Sequence, residues 1–597
     1  MKELNTRVTV SEVLDQSISI DTMNVEQTSF LKDKNGQIFS EIYGAENRIS
    51  IPYDDIPKYV IDAFIVTEDQ HFYTHKGFDL IGITRAFFVN AKNDSIDQGG
   101  STITQQLVRN VYLSNEKSYN RKLKELLFAF QLEKELSKEQ IIQFYVNTVY
   151  FQNQAYGIEA ASQFYFSKPA SQLTLGEATF LAAIPNNPTV YNPLQHYDNT
   201  KKRQQLVLTK MLEAQVITQH EYDQAIEERT HLTLKEKTDL FPNYVTYIYE
   251  ELKQLIASEK GYREQLKRTA SEEEKALIEE KLNEEVDQLL KSGVTIETAL
   301  DSSIQAHAEE TLKTTLQNSD IDGAVVVIQH HSHEIAAIVG GKDYKKHDFH
   351  RAFQSYRQPG SAIKPLLVYG PYLAEFKSPL SSTINAGPFC RNGYCPRNAN
   401  DRSYGNVTIE TALKYSYNTA AVRMFDQTGI RKSFSYLQAF QFSKLVPEDY
   451  HLPAAIGGFT YGVTPLELTN AYTTFANNGE FKRSHAIVRV LDREGNVLYN
   501  WKDDPQIVWD AETNNKMRTL LHKVITEGTG KQAYYSNTMY IGGKTGTTND
   551  YKDLWFIGLN EDYTTGVWIG KDQPDSIKKY SNSSPHLKIW NNIMRQL

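Results

Sequence analysis

The chain has 597 residues, well past the roughly 250–300 at which a single hydrophobic core stops growing, so at least two domains are expected. Hydrophobic residues make up 40% and charged residues 23%, with 36 Tyr and 27 Phe, which supplies packed cores and excludes a disordered or collagen-like chain. A net charge of −9 leaves no overall basic field to hold a phosphate backbone, so nucleic acid is not an expected partner.

Residues 1–45 carry short apolar runs without a helical period. Between Phe30-Leu31 and Ile38-Phe39, the stretch Lys32 to Gln37 contains Asn35-Gly36, a pair that accepts positive φ and predicts a hairpin. Met1 to Val10 lacks the apolar core of a signal peptide, and no run approaches the roughly 18 apolar residues of a membrane span. From Ile56 to about Met211 the pattern is helical, with Leu123, Leu126, Leu127, Phe130 and Leu136 at near-helical spacing, and an all-α domain is expected. Pro185, Pro188 and Pro193 interrupt it before Thr200 to Leu212 resumes the period. Residues 251–291 hold 11 acidic and 8 basic side chains, and Ile278, Leu282, Val286 and Leu289 predict an amphipathic helix with a solvated face, a linker or insert.

After Gly293 the texture changes. Gly323 to Ile328 and Ile335 to Gly341 read as buried strands among helical stretches, so an α+β domain is expected from near Val294 to the end. Cys390 and Cys395 lie in a Gly/Asn/Pro-rich stretch, where a disulfide outside the cytoplasm and a pair of free thiols both fit. No His or second Cys pair nearby supports zinc.

Three short motifs follow in order: Ser361-Ala362-Ile363-Lys364, Ser416-Tyr417-Asn418 and Lys544-Thr545-Gly546-Thr547. Singly each is weak, since Ser361 reads equally well as a helix cap and Asn418 as a turn residue. As an ordered set, entered by Pro359-Gly360 and Gly542-Gly543, they resemble the trio of penicillin-binding proteins and serine β-lactamases, with Tyr417 where the pattern has Asp. The residue types suit acyl transfer. Ser361 and Lys364 stand three apart, so on a helix the amine reaches the hydroxyl and acts as base if burial or the Lys544 charge lowers its pKa. Ser416 and Asn418 offer a proton relay and an amide for a substrate carbonyl. Lys544 offers charge to a carboxylate, Gly546 admits a peptide backbone, Thr545 flanks them, and the amides of Ser361 and Thr547 are the natural oxyanion donors.

Upstream, Glu68-Asp69-Gln70-His71-Phe72-Tyr73-Thr74-His75-Lys76-Gly77 is followed by Gly99-Gly100-Ser101-Thr102-Ile103-Thr104-Gln105-Gln106. Then come Arg121-Lys122-Leu123-Lys124-Glu125, Lys138 to Asn147 and Arg203 to Leu208. These resemble successive motifs of the peptidoglycan glycosyltransferase family, and with the trio the chain resembles a bifunctional class A penicillin-binding protein from roughly Asn47 to Trp590. The resemblance implies a multidomain protein, an all-α lysozyme-like domain that polymerises lipid II joined to an α+β transpeptidase domain with an antiparallel sheet flanked by helices. The boundaries expected are a lead segment at 1–45, the glycosyltransferase at 46–215, a linker with the charged insert at 216–293, and the transpeptidase at 294–597.

Carried over residue by residue, Glu68 is the base toward the acceptor hydroxyl and Glu125 the second carboxylate, near the donor diphosphate. Asp69, Phe72, His75, Thr102, Gln106, Arg109, Asn110, Arg121, Lys122 and Tyr145 fall in or beside cleft-lining motifs. Mg²⁺ or Mn²⁺ at the diphosphate is the expected cofactor of the first reaction, and none is expected for the second. Expected partners are lipid II and nascent peptidoglycan, β-lactams as inhibitors, other wall-synthesis proteins, and the membrane surface at the outer face of the cytoplasmic membrane. The family is normally tethered by an N-terminal helix that this sequence does not show. The same trio also serves a D,D-carboxypeptidase or β-lactamase, whose acceptor is water, and a β-lactam sensor, which needs no glycan product.

Overall fold

The structure, a computed structural model, describes residues 25–79, 101–112, 119–502 and 504–597. The Gly99-Gly100 pair and Met1 to Val10 lie outside the described residues. Two compact units emerge: one from the described parts of residues 1–30, 41–238 and 287–295, the other from 31–40, 239–286 and 296–597.

The first unit is helical, as the period predicts. Its helices are α1 (Lys58–Glu68), α2 (Ile103–Tyr112), α3 (Tyr119–Glu135), α4 (Lys138–Thr148), α5 (Ile158–Phe166), α6 (Leu175–Ala182), α7 (Tyr197–Glu213) and α8 (Gln219–Glu227). Capping boxes set several starts: Ser137 with Gln140 opens α4 and Thr174 with Glu177 opens α6, each pair satisfying two otherwise unpaired amides. The inward face of α3 differs from the apolar period. Glu125, Phe128, Ala129, Leu132 and Leu136 are buried, whereas Leu123 is 41% exposed. A carboxylate takes one inward position, and the buried face lies two positions along from the one that the apolar count alone sets.

In the second unit a five-stranded antiparallel sheet has the order β8-β9-β10-β4-β5, where β4 is Asp322–Gln329, β5 Ile335–Val339, β8 Gly542–Thr547, β9 Asp553–Leu559 and β10 Tyr563–Gly570. All seven residues of β9 are buried, because helices cover both faces and the strand needs no polar side. On one face α12 (Ser302–Leu316) and α16 (Pro585–Met594) pack against Val325, Val327, Phe556 and Val567. The other face carries the turn Gly360–Ile363 and α14 (Pro465–Tyr472); the turn leads into a π-helix, Pro365–Tyr369, against which α13 (Asn418–Thr428) packs, while α15 (Ala511–Thr526) packs against β8.

The predicted hairpin forms between β1 (Ser29–Lys32) and β2 (Ile38–Ile42), with Gly36 at φ 78°. These strands share a smaller sheet, order β7-β6-β3-β1-β2, with β3 (Thr295–Thr298), β6 (Ile487–Leu491) and β7 (Val497–Tyr499). The stretch 216–293 is not a separate linker here. Residues 239–286 belong to the second unit, because α9 (Pro242–Glu259) buries Tyr244, Val245, Ile248, Leu252 and Leu255. The charged run ends α9, forms α10 (Tyr262–Arg268) and continues as α11 (Glu272–Lys291), whose Leu282, Val286 and Leu290 are buried under a solvated face. Cys390 and Cys395 form a disulfide.

Candidate functional sites

In the first unit, α1 ends in Glu68, a half-buried carboxylate at a helix C-terminus. Gln106 on α2 donates its Nε2 to Glu68 Oε2 at 2.9 Å, and the fully buried Tyr145 hydroxyl donates to Gln106 Oε1 at 3.3 Å. Burial, with the Glu68 charge nearby, holds the Tyr145 phenol well above its usual pKa, so it remains a donor.

Asp69 faces the interior instead. Its Oδ2 accepts from the Ile103 amide at 3.0 Å and from His75 Nε2 at 2.8 Å, while the Gly77 amide donates to His75 Nδ1 at 3.1 Å. That last bond makes Nδ1 the acceptor and assigns the ring proton to the Asp69 side. Gly77 sits at φ 92°, and a Cβ there would stand 2.7 Å from the Ala129 carbonyl, so the loop presses on α3 as only glycine permits. Thr102 donates its hydroxyl to Gly77 O at 2.7 Å and exchanges capping bonds with Gln105. Phe72 is fully buried. Asp69, His75 and Thr102, expected in or beside the cleft lining together with Phe72, brace the loop after α1 against the start of α2.

Glu125 is buried on α3, ion-paired to Arg121 NH1 at 3.2 Å and to the Lys122 ammonium, which also donates to Ser101 Oγ at 2.8 Å. One carboxylate thus fixes two cations. Arg109 and Asn110 lie on α2, the first half-buried and the second exposed. Glu133, unnoticed in the sequence, is a further buried carboxylate. It accepts from Thr104 Oγ1 at 2.6 Å and pairs with Lys138 at 2.6 Å.

In the second unit, Ser361 is partly exposed in the turn Gly360–Ile363, and the Lys364 amide donates back to its carbonyl. Lys364 Nζ is buried and donates to Ser416 O at 2.7 Å, Ser416 Oγ at 3.2 Å and Asn418 Oδ1 at 2.7 Å. Three acceptors favour the ammonium, but burial first and the Lys544 charge second push its pKa well below the ordinary lysine value. Lys544, buried on β8, is pushed down to about 7 by burial; its Nζ donates to Thr545 O at 2.8 Å. Ser416 holds φ 59°, an uncommon conformation for serine, and Asn418 opens α13. Tyr417 between them stacks on Tyr404 with ring centroids 4.1 Å apart.

Glycines set the approach of these pieces. A Cβ at Gly546 would meet Pro359 O at 2.6 Å and the Ala362 side chain at 2.9 Å, and one at Gly360 would meet Thr547 O at 2.5 Å. Gly546 thus lets β8 pack closely on the turn that carries Ser361. Thr545 is half-buried and Thr547 exposed on β8, the edge strand of its sheet.

Two residues with no sequence signal hold this arrangement. Asp553 at the start of β9 accepts from Arg357 Nε at 2.7 Å, Trp568 Nε1 at 3.0 Å and Thr548 Oγ1 at 2.9 Å. Arg357 precedes Ser361 by four residues, and Trp555 Nε1 donates to Gln358 O at 3.0 Å beside it. Asp553→Ala would leave the buried Arg357 unpaired, an expected loss of about 3–5 kcal/mol. Urea unfolding followed by tryptophan emission reads it, since all five Trp, from Trp501 to Trp590, lie in the second unit.

Among known proteins, the Transglycosylase family model matches residues 35–212 and the Penicillin binding protein transpeptidase domain model residues 323–595. Penicillin-binding protein 4 of Bacillus subtilis (strain 168) is 48% identical over 595 residues, covering 100% of this chain and 95% of the relative. Penicillin-binding protein 1A of Aquifex aeolicus (strain VF5) is 34% identical, covering 96% and 87%. The crystal structure of Penicillin-Binding Protein 1A from Haemophilus influenzae shares the fold, with a TM-score of 0.59 at 20% identity over 96% of this chain and 92% of that one.

Proposed function

The chain belongs to the class A penicillin-binding proteins, bifunctional peptidoglycan synthases that join a glycosyltransferase to a D,D-transpeptidase, and from that premise we propose which residues carry each reaction. The observation that carries the first half is the contrast among carboxylates. Glu68 is bonded to a neutral amide, whereas Asp69, Glu125 and Glu133 are each engaged by cations, an imidazole or a backbone amide. Glu68 takes the proton from the acceptor sugar hydroxyl as that oxygen attacks the donor's anomeric carbon and the diphosphate leaves. Arg121 and Lys122, held by Glu125, and Arg109 on α2 offset the charge on the leaving diphosphate, with Asn110 beside them.

A protein-held metal does not fit the described donor set. No group of three or more His, Cys, Asp or Glu converges among the described residues, and Glu125 is already taken by Arg121 and Lys122. We assign Mg²⁺ or Mn²⁺ only the role of a counter-ion brought by the diphosphate, and no step runs through it.

In the second half, Ser361 Oγ attacks the stem-peptide carbonyl before the terminal D-Ala. The Oγ–C bond forms, the peptide C–N bond breaks, and the hydroxyl proton passes through Lys364 and Ser416 to the departing amine. An amine acceptor then takes the acyl group, and β-lactams stop the cycle at the acyl-enzyme. Lys544 holds the donor carboxylate, β8 offers its open edge to the peptide, and the Ser361 and Thr547 amides hold the oxyanion. We place the enzyme at the outer face of the cytoplasmic membrane with other wall-synthesis proteins, since its donor is lipid-linked. No helix among the described residues is long and apolar enough to cross a membrane.

The test is one reaction with labelled lipid II, with and without penicillin: polymer in both and cross-links only without the drug are expected, and an absence of polymer overturns the first assignment. A pH profile tests the second. Lys364 must be neutral to act as base, and the Lys544 charge favours that form, so Lys544→Gln raises the Lys364 pKa and moves the rising limb of penicillin acylation to higher pH. An unmoved limb removes Lys364 from the role of base.

A further inference from the structure

The segment from Asn385 to Arg402 runs along α13, whose first residue is Asn418, and is fastened to it at two levels. At the helix start, Asn418 Nδ2 donates to Arg397 O at 2.8 Å, and Asn398 Oδ1 accepts from the Thr419 amide at 3.1 Å and from Thr419 Oγ1 at 3.2 Å. Further along, Arg423 donates to Asn385 O at 3.0 Å and Pro388 O at 3.1 Å, and Arg391 pairs with Asp426. The disulfide Cys390–Cys395 closes the chain between these fastenings. Arg391 and Tyr394 exchange backbone hydrogen bonds of 3.0 Å inside it, Asn392 and Gly393 turn at φ 50° and 79°, and Pro396 leads directly to Arg397.

The bond to Arg397 O decides how the Asn418 amide stands. With Nδ2 committed there, Oδ1 faces Lys364 Nζ at 2.7 Å. We propose that the Cys390–Cys395 disulfide clamps the Arg397–Asn398 segment and thereby positions Asn418, so that transpeptidase acylation, and not glycan polymerisation, depends on oxidising surroundings. The proposal rests on the assignment of Asn418 to the acylation site. Asn398 is the positioning residue and the disulfide its restraint: the closed ring limits the conformations open to a turn that holds a non-glycine residue at positive φ. Reduction by a dithiol transfers two electrons, giving two cysteine thiols and the oxidised dithiol. The turn then relaxes, and Arg397 O meets Asn418 for a smaller fraction of the time.

The experiment uses the full chain, oxidised or treated with dithiothreitol, beside a Cys390→Ser/Cys395→Ser double variant. A fluorescent penicillin gives the second-order acylation rate across pH, and labelled lipid II gives polymerisation. The expected result is a fall in acylation of about tenfold on reduction and in the double variant, the order that sub-ångström misplacement costs. Its rising limb moves to lower pH, because Asn418 Oδ1 no longer favours the Lys364 ammonium that Lys544 already disfavours. Polymerisation stays within twofold, and dithiothreitol does nothing to the double variant. Asn398→Ala, which removes the acceptor for Thr419, reproduces the loss and the shift of the limb. An unchanged acylation rate and pH profile on reduction overturns the clamp, as does a parallel fall in polymerisation. Asn418→Ala separates the two levels. If it acylates normally, the reading of the site falls and the clamp with it; if it is impaired while reduction has no effect, the clamp alone falls.

Discussion

Ser361→Ala is expected to abolish penicillin labelling and peptide cross-linking while leaving glycan polymerisation intact. The proposed role makes the hydroxyl the bond-forming atom, so its loss removes the covalent route, a penalty on the order of 10⁶ in a serine protease. The fold tolerates the change. Ser361 is partly exposed, and the close approaches of this turn are made by Gly360 to Thr547 and by Gly546 to Pro359 and Ala362. The measurement is a gel of the lipid II reaction, with fluorescent penicillin labelling of the same samples. Residual labelling at a second residue would remove Ser361 from its role. Rapid release of penicillin from the unmodified enzyme would make water the favoured acceptor, the outcome that a carboxypeptidase or β-lactamase predicts.

Glu68→Gln is expected to lower polymerisation by about 10²–10⁴, the range that general base catalysis contributes. Glutamine keeps the length and an oxygen that still accepts from Gln106 Nε2, so the Tyr145–Gln106 chain survives and the loss reports the missing proton acceptor. Penicillin acylation should not change, which serves as the control for folding. Asp69→Asn is the contrast. Asp69 supports the Ile103 amide and His75, so its loss should appear as lowered stability of the first unit along with lowered activity. Equal activity losses at unchanged stability would mean that Asp69 also faces substrate.

Much of this enzyme's fold and family was legible in the chain, because the motifs proposed to carry its chemistry are short and local. Ser361 and Lys364 share one turn, Ser416 to Asn418 is a tripeptide, Lys544 to Thr547 is a single strand, and a helical period announces the first domain. The Asn35-Gly36 turn was equally legible, since a two-residue conformational demand is written in two residues. Which carboxylate is free and which are braced was not. Glu68, Asp69, Glu125 and Glu133 look alike in sequence, and their roles follow from partners that burial selects: Gln106 and Lys138 from neighbouring helices, His75 from the loop after α1, and Lys122 from the same helix as Glu125.

Tertiary structure alone also decided the inward face of α3, where Glu125 takes a place among apolar residues, the packing role of Gly546 against Pro359 O, and the membership of α9 in the second unit. It joined Arg357 to Asp553 across 196 residues and Arg397 to Asn418 across 21. Local spacing can state which groups a catalyst contains. The direction each group faces and the pKa it holds depend on burial and on partners brought together by long-range packing, and no window of sequence records those.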